Sequence, residues 1–198
     1  MGIQQIPLAS SGITQSEVSD VVRWTQIATT TSAGSGTITF SSIASGYKAF
    51  KLVVHGYYAT TGNIAHLALR LNNDSGSNYK FSNCSIAHSA SSDVNFKTTG
   101  STAISSYRLT DTVLSIVNEA SFAVEISGNQ TSNNGKMLQL YGTVPDRVGA
   151  SNLLRYYAYG MANGIWDNTA EINRIDLFCT SDTFANNGTG RIILYAAK

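Results

Sequence analysis

Apolar side chains recur mostly at every second position, in short runs separated by Gly, Asn, Ser and Thr. Phe50, Leu52 and Val54 stand at alternate positions in one run, and Leu67 and Leu69 do so in the next. Successive side chains of a β-strand point to opposite faces of its sheet, so a period of two indicates strands with one buried face. The pattern therefore predicts short antiparallel strands and essentially no long helix.

The same alternation predicts further strands at residues 22–29, 37–40, 111–117, 122–127, 137–144, 153–161, 172–180 and 191–196. Residues 82–106 have a weaker pattern and more Ser, so a long loop or an excursion at a sheet edge is expected there. Roughly ten short strands with polar connections favour one antiparallel β-sandwich of jelly-roll or Greek-key type. We assign residues 21–198 to this all-β domain.

Residues 59–63 contain the Gly and Asn that a tight hairpin requires. They predict a hairpin in which Val54 faces Leu67 on the buried side and His55 faces His66 on the outward side. Two imidazoles placed in this way could begin a metal site, but zinc requires more ligands than this pair supplies. Exposed or interface histidines are therefore the favoured interpretation.

Residues 1–20 differ in pattern from the rest of the chain. Their apolar side chains have the spacing of neither a strand nor a long helix, and residues 14–17 form only a weak capping box. The sequence predicts a short N-terminal arm, extended or with one helical turn, that anchors the protein on a partner. The proposed anchoring residues are Ile3, Ile6, Pro7 and Leu8.

Tyrosines cluster at residues 57–58 and 156–159. Alternation predicts that Tyr57, Tyr157 and Tyr159 point outward. A tyrosine combines a large apolar ring with a polar tip, which suits contact with a partner chain. Plain surface or core positions, and stacking on the sugar rings of a glycan, are the alternatives.

Charged residues make up 13% of the chain and the formal net charge is +1. Neither nucleic acid nor an anionic membrane is therefore an expected partner. No apolar run approaches the ~20 residues of a membrane helix, and no signal peptide or anchor is evident near Met1. Cys84 and Cys179 fall on separate predicted strands, which favours buried thiols, with a single disulfide as the alternative.

Motifs of common enzymes and metal sites were sought and are missing from the sequence, including the nucleophile elbow, His-Glu-x-x-His, the phosphate loop and Cys-x-x-Cys. Acidic residues are scattered, and Asp167 with Glu171 is the closest pair of interest. Residues 72–78 have the oxygen-rich composition of a calcium loop, but Asp74 is their only charge and Asn83 replaces the closing glutamate. We expect a structural turn, no enzymatic activity and no cofactor or metal.

Two longer motifs stand out. Residues 72–79 are Asn-Asn-Asp-Ser-Gly-Ser-Asn-Tyr, and residues 164–172 are Gly-Ile-Trp-Asp-Asn-Thr-Ala-Glu-Ile. They resemble motifs of tailed-bacteriophage virion structural proteins of the β-sandwich decoration or tail-fibre-tip type. The chain departs from that pattern at Asn73, where Gly is usual, and at Asn168, where Ser is usual. The residues that carry the resemblance are Asp74, Gly76, Asn78, Tyr79, Trp166 and Thr169.

Residues 40–43, 47–48 and 52 also resemble the entry into the first core strand of these phage proteins, so the resemblance covers roughly residues 37–198. It implies a compact β-sandwich that usually assembles as a homotrimer on a capsid or tail. The sequence has neither heptads nor a shaft repeat. We therefore favour a decoration or cement protein on the outer capsid surface, made in the bacterial host cytoplasm. Its partners would be the major capsid protein or another virion protein, and its arm would bind a neighbouring subunit or the virion surface. The alternative is a tail-fibre or receptor-binding tip that recognises a host surface glycan, and a free carbohydrate-binding module is a third interpretation.

Overall fold

A computed structural model of the protein describes residues 23–31, 34–59, 67–87, 94–105, 120–129, 135–147, 154–179, 183–185, 188 and 190–198. Within these residues all regular secondary structure is β. The arm residues Ile3, Ile6, Pro7 and Leu8, the strand predicted at residues 111–117, and His66 lie outside the described residues.

The described part of the chain contains thirteen strands. In order they are β1 (Thr25–Thr30), β2 (Thr37–Phe40), β3 (Ala49–Ala59), β4 (Leu67–Leu71), β5 (Tyr79–Ala87), β6 (Val94–Ser101), β7 (Ile104–Ser105), β8 (Ala120–Ser127), β9 (Lys136–Arg147), β10 (Leu154–Trp166), β11 (Ile175–Cys179), β12 (Phe184–Ala185) and β13 (Arg191–Ala197).

The strands form two antiparallel sheets. The larger has nine strands, in the order β1-β13-β3-β8-β9-β10-β5-β6, with β12 paired to the end of β3. The smaller has four, in the order β2-β11-β4-β7. Buried side chains from both sheets meet in one hydrophobic core. The predicted β-sandwich is therefore confirmed, and its jelly-roll or Greek-key connectivity stays a prediction.

The core follows from the alternation in the sequence. Phe50, Leu52 and Val54 of β3 are at most 1% exposed, and Leu67 and Leu69 of β4 are each 1% exposed. Burying an aliphatic or aromatic side chain of this size stabilises the folded state by about 1.5 to 3 kcal/mol. The inward faces predicted for these two strands are therefore correct.

The hairpin predicted from residues 59–63 is wrong. β3 lies between β13 and β8 in the larger sheet, whereas β4 lies between β11 and β7 in the smaller one. A period of two determines which face of a strand is buried, but it does not determine which strand is its neighbour. The predicted opposition of His55 and His66 stays a prediction, because His66 lies outside the described residues.

Tyr57 points inward, although alternation predicts that it points outward. The register of β3 against β8 shifts between His55 and Tyr57, and the intervening Gly56 has a φ of 72°. This β-bulge inserts one extra residue and so reverses the alternation beyond it. Tyr57 is 1% exposed, and its ring packs edge-on against Phe184 with 6.0 Å between centroids. It therefore belongs to the core and not to an exposed contact surface.

Most of residues 82–106 are in strands, so the loop interpretation of this segment is wrong. β5 continues to Ala87, and β6 pairs with it as the last strand of the larger sheet. The alternative, an excursion at the sheet edge, is correct for β6. A strand with a partner on one side only tolerates Ser and Thr, because less of it has to be buried.

Replacing Leu69 with Ala tests the assignment of faces. Leu69 lies in the middle of β4 with 1% exposure. We expect Leu69→Ala to reduce the free energy of unfolding by about 2 to 5 kcal/mol through lost burial and a residual cavity. The control, Gln139→Ala on the exposed face of β9, should change it by less than about 0.5 kcal/mol. Chemical denaturation measures both, and similar losses would contradict the assigned faces.

Candidate functional site

The two motifs that carry the phage resemblance meet at one carboxylate. Oδ2 of Asp74 accepts hydrogen bonds from Nε1 of Trp166 at 2.7 Å, from Nδ2 of Asn78 at 2.8 Å and from Nδ2 of Asn168 at 3.3 Å. Its Oδ1 accepts the backbone N–H of Gly76 at 2.9 Å. We call these five residues the Asp74 cluster. The cluster joins the turn between β4 and β5 to the linker between β10 and β11.

The turn between β4 and β5 places Asp74 in this position. Asn72 and Asn73 have φ values of 53° and 54°, a left-handed conformation that Asn adopts more readily than most residues. The N–H of Asp74 donates to the carbonyl of Leu71 at 2.9 Å, and the side chain of Asp74 accepts the Gly76 N–H in an Asx turn. Gly is usual at this position in the phage motif that residues 72–79 resemble. Asn73 can replace it there because both residues tolerate a positive φ.

Tyr79 and Trp166 close this end of the sandwich. Both are fully buried, and their rings stack at 19° with 6.4 Å between centroids. The Tyr79 hydroxyl accepts the Leu71 N–H at 2.9 Å and donates to the Leu71 carbonyl at 3.3 Å. Burial raises the pKa of Tyr79, so the phenol stays protonated and keeps both bonds. Because Leu71 is in the smaller sheet and Tyr79 in the larger one, this contact ties the two sheets together.

Gly164 is required by close packing rather than by its backbone conformation. A Cβ at this position would lie 2.7 Å from Cδ1 of Ile104, 2.8 Å from Cβ of Phe81 and 2.9 Å from the Lys80 carbonyl oxygen. The Gly that begins the second motif therefore lets β10 approach its neighbours. Thr169, another residue of this motif, is exposed on the linker.

Two asparagines that the sequence reasoning did not single out as site residues hold the linker that follows β10. Oδ1 of Asn72 accepts the N–H groups of residues 173 and 174 at 2.9 and 3.1 Å, and its Nδ2 donates to the Glu171 carbonyl at 2.7 Å. Oδ1 of Asn129 accepts the Ile172 N–H at 2.7 Å, and its Nδ2 donates to the Tyr47 carbonyl at 2.7 Å. These side chains satisfy backbone groups that have no strand partner. The signal in the sequence is the loss of alternation after Trp166, which leaves that backbone in need of other partners.

Lys136 is a further residue that the sequence reasoning missed. Its side chain is fully buried, and its Nζ donates to the Asn168 carbonyl at 2.8 Å. The same Nζ atom lies 5.6 Å from the centroid of the Trp166 ring. Burial lowers the pKa of Lys136. The alternation of the sequence does indicate that Lys136 is buried, because Lys136 is in phase with the buried Leu138 and Leu140 of β9.

The Asp74 cluster is suited to holding structure and not to reacting. Burial alone would raise the pKa of Asp74, but the hydrogen bonds that its ionised form accepts from the cluster outweigh burial and lower the pKa. The carboxylate oxygens face N–H groups, which repel a cation, so the calcium interpretation finds no support here. Among the described residues no group of three or more His, Cys, Asp or Glu could hold a metal ion.

The remaining predicted contact residues lie towards the other end of the sandwich. Nδ1 of His55 lies 3.0 Å from Oγ of Ser121 on the exposed face of the larger sheet. Catalysis by such a pair also needs a group that orients the imidazole and donors for an oxyanion, and the described contacts of the pair include neither.

The backbones of Tyr157 and Tyr159 are in β10, and their side chains are outside the described set. Cys179 is a buried thiol, as the thiol interpretation predicts, and the side chain of Cys84 is also outside that set.

Comparison of the chain with protein-family models, with curated proteins and with solved structures found no match. No helix in the described ranges is long and apolar enough to cross a membrane. The phage resemblance therefore stays a prediction that rests on the two motifs.

Removal of the Asp74 carboxylate should destabilise the protein. Asp74→Ala leaves the buried Trp166 indole N–H without its acceptor. We expect a loss of roughly 1.5 to 3 kcal/mol in the free energy of unfolding, the usual contribution of a hydrogen bond to a charged group. The control is Asp167→Ala, because the described contact of the Asp167 carboxylate is an exposed ion pair with Lys80 at 2.7 Å, and its loss should cost less than about 1 kcal/mol. Denaturation curves that coincide for the two variants would refute the role of Asp74.

The stabilisation by Asp74 should also depend on pH in a defined direction. The pKa of Asp74 is lower in the folded state than its ordinary value of 3.8. The stabilisation is then fully present above that value and is lost as the pH falls through the folded-state pKa. Denaturation of the wild type and Asp74→Asn from pH 7 downward should show a stability difference that is constant to about pH 4 and then shrinks. A difference that grows on acidification would contradict this assignment.

Proposed function

We propose that the protein is a non-enzymatic virion structural protein: a homotrimeric β-sandwich that decorates and reinforces the outer surface of a tailed-phage capsid. The observation that carries the proposal is the meeting of the two motifs at Asp74. Asp74 and Trp166 are 92 positions apart in the chain, yet they are joined by a 2.7 Å hydrogen bond. Because the two motifs build one local structure, we interpret them together as one structural signature and not as two unrelated similarities.

The buried polar groups also support a structural role. Asp176 is 2% exposed, and its oxygens accept bonds from Nε of Arg174 at 2.9 Å and from Oγ1 of Thr39 at 2.6 Å. Asn129, 2% exposed, uses both atoms of its amide on backbone groups. Catalytic sites hold titratable groups that remain available to substrate. Here the carboxylate of Asp176 and the amide of Asn129 instead form hydrogen bonds with other groups of the protein.

The outer face of the larger sheet suits contact with another protein. Val53, Ala123, Tyr141 and Ile193 are direct neighbours in the registers of four adjacent strands and form an apolar row in which Val53, Tyr141 and Ile193 are partly exposed and Ala123 is buried. On one side of the row the charges are paired, because Nζ of Lys51 lies 2.8 Å from Oε1 of Glu125. Hydrogen bonds from Lys51 and Tyr141 lower the pKa of Glu125, so the pair stays ionised near neutral pH. A broad apolar row with paired charges resembles a protein interface more than a small-ligand cleft.

The mass in solution and the copy number on the particle test this proposal. We expect light scattering at micromolar concentration to give about three times 21.1 kDa. Quantitative mass spectrometry of purified particles should find the protein in constant proportion to the major capsid protein. A monomeric mass together with absence from the particles would refute the proposal. A few copies per particle would instead favour the receptor-binding tail tip.

A further inference from the structure

A groove of about 550 Å³ opens between β1 and β2, which are the first strands of the two sheets. Residues of β1 and β2 line the groove, together with Leu194 of β13, residues 41–44 and Tyr47. The lining residues are Ile27, Ala28, Thr39, Phe40, Ser41, Ser42, Ile43, Ala44, Tyr47 and Leu194.

The hydrophobic core is open to solvent at this groove. Four apolar residues pack against the core while remaining only partly buried, namely Ile27, Ala28, Ile43 and Tyr47. All four line the groove. Apolar surface that remains in contact with water favours a further covering element.

The backbone of the groove favours an extended occupant. Among the described strands, β1 pairs only with β13 and β2 pairs only with β11. Residues of both strands line the groove, namely Ile27 and Ala28 of β1 and Thr39 and Phe40 of β2. An exposed edge accepts an added strand through main-chain hydrogen bonds, while the alternate side chains of that strand fill the adjacent pockets.

The chemistry of the groove limits what can enter it. None of its lining residues is charged, so a charged side chain buried there would have no partner. Residues 1–16 contain no charged side chain, and residues 1–22 end directly before the strand whose Ile27 and Ala28 line the groove. Ile3, Ile6 and Leu8 supply apolar side chains of suitable size. Pro7 is compatible with an added edge strand, which needs N–H donors on one side only.

We propose that residues 1–22 of a neighbouring copy of this chain dock here as a strand added to β1, with the uncharged residues 1–16 inside the groove and Glu17 and Asp20 outside it. Entry into a chain's own groove would need a tight reversal immediately before Thr25. Residues 19–24 contain Ser19 and Asp20 but no Gly, Asn or Pro, and Val21 and Val22 are β-branched and disfavour the positive φ of hairpin turns. This composition disfavours a hairpin back onto the chain's own β1, so we assign the segment to the groove of a neighbouring copy. Exchange of this segment around a closed ring gives each copy one donated and one received strand.

Photo-crosslinking in the full-length chain tests this docking. A photo-crosslinking amino acid replaces Ala44, which is exposed and lines the groove, and the control carries it at Ser45, which is exposed and does not line it. Light and heavy-isotope protein are mixed, assembled together and irradiated. We expect position 44 to crosslink to residues 1–22, with peptide pairs of mixed isotope. Crosslinks within single chains only, or no crosslinks to residues 1–22, would overturn the proposal.

A charge in the groove gives a second and independent measurement. Ala44→Glu should weaken self-association about tenfold or more, because the docked strand would bury an unpaired carboxylate. Ser45→Glu adds the same charge one residue away and should leave association unchanged. Equal association of the two variants would overturn the docking.

This inference rests on the proposed function, because both require that copies of the chain assemble. The docked segment and the decoration role can nevertheless fail separately. A trimer that persists without crosslinks from position 44 to residues 1–22 overturns the docked segment and leaves the decoration role standing. Mixed-isotope crosslinks in a protein that is missing from purified capsids support the docked segment and overturn the decoration role.

Discussion

The hydrogen bond from the Trp166 indole to the Asp74 carboxylate is the contact on which one end of the sandwich depends. Trp166 ends β10 in the centre of this end, and its ring is fully buried against Tyr79. A buried indole N–H without an acceptor would destabilise the fold, so the turn between β4 and β5 must bring an oxygen to it. Asp74 supplies that acceptor oxygen, and it can take this position because the two preceding asparagines adopt positive φ.

The linker between β10 and β11 is then held by side chains instead of by a sheet. Asn72 and Asn129 bond its backbone groups, Lys136 bonds the Asn168 carbonyl, and the Asn173 carbonyl accepts the N–H of Ile43. These bonds connect the linker to loops from both sheets. The proposed docking of a neighbouring copy would use the groove between β1 and β2.

Alternation in the sequence was enough to predict the sandwich and the buried faces. Leu52 and Leu69 are both in the core, as predicted, although their strands lie in opposite sheets instead of in one hairpin. Strand neighbours depend on contacts between distant residues, and a period of two carries no information about them. The Gly56 bulge turned Tyr57 inward for a similar reason, since one inserted residue shifts the phase without changing the local pattern. Asp74 and Trp166 were singled out as motif residues, but their mutual contact could not be derived from either motif alone.

The contact between Asp74 and Trp166 is the central claim, and a double-mutant cycle tests it most directly. The free energy of unfolding is measured for the wild type, Asp74→Ala, Trp166→Phe and the double variant, because Phe keeps an aromatic ring and lacks the indole N–H donor. The packing lost with the smaller ring is common to both Phe variants and cancels in the cycle. The hydrogen bond predicts a coupling free energy of about 0.5 to 3 kcal/mol, with the double variant less destabilised than the sum of the single variants. Strictly additive losses would show that the two motifs do not depend on each other and would contradict the account.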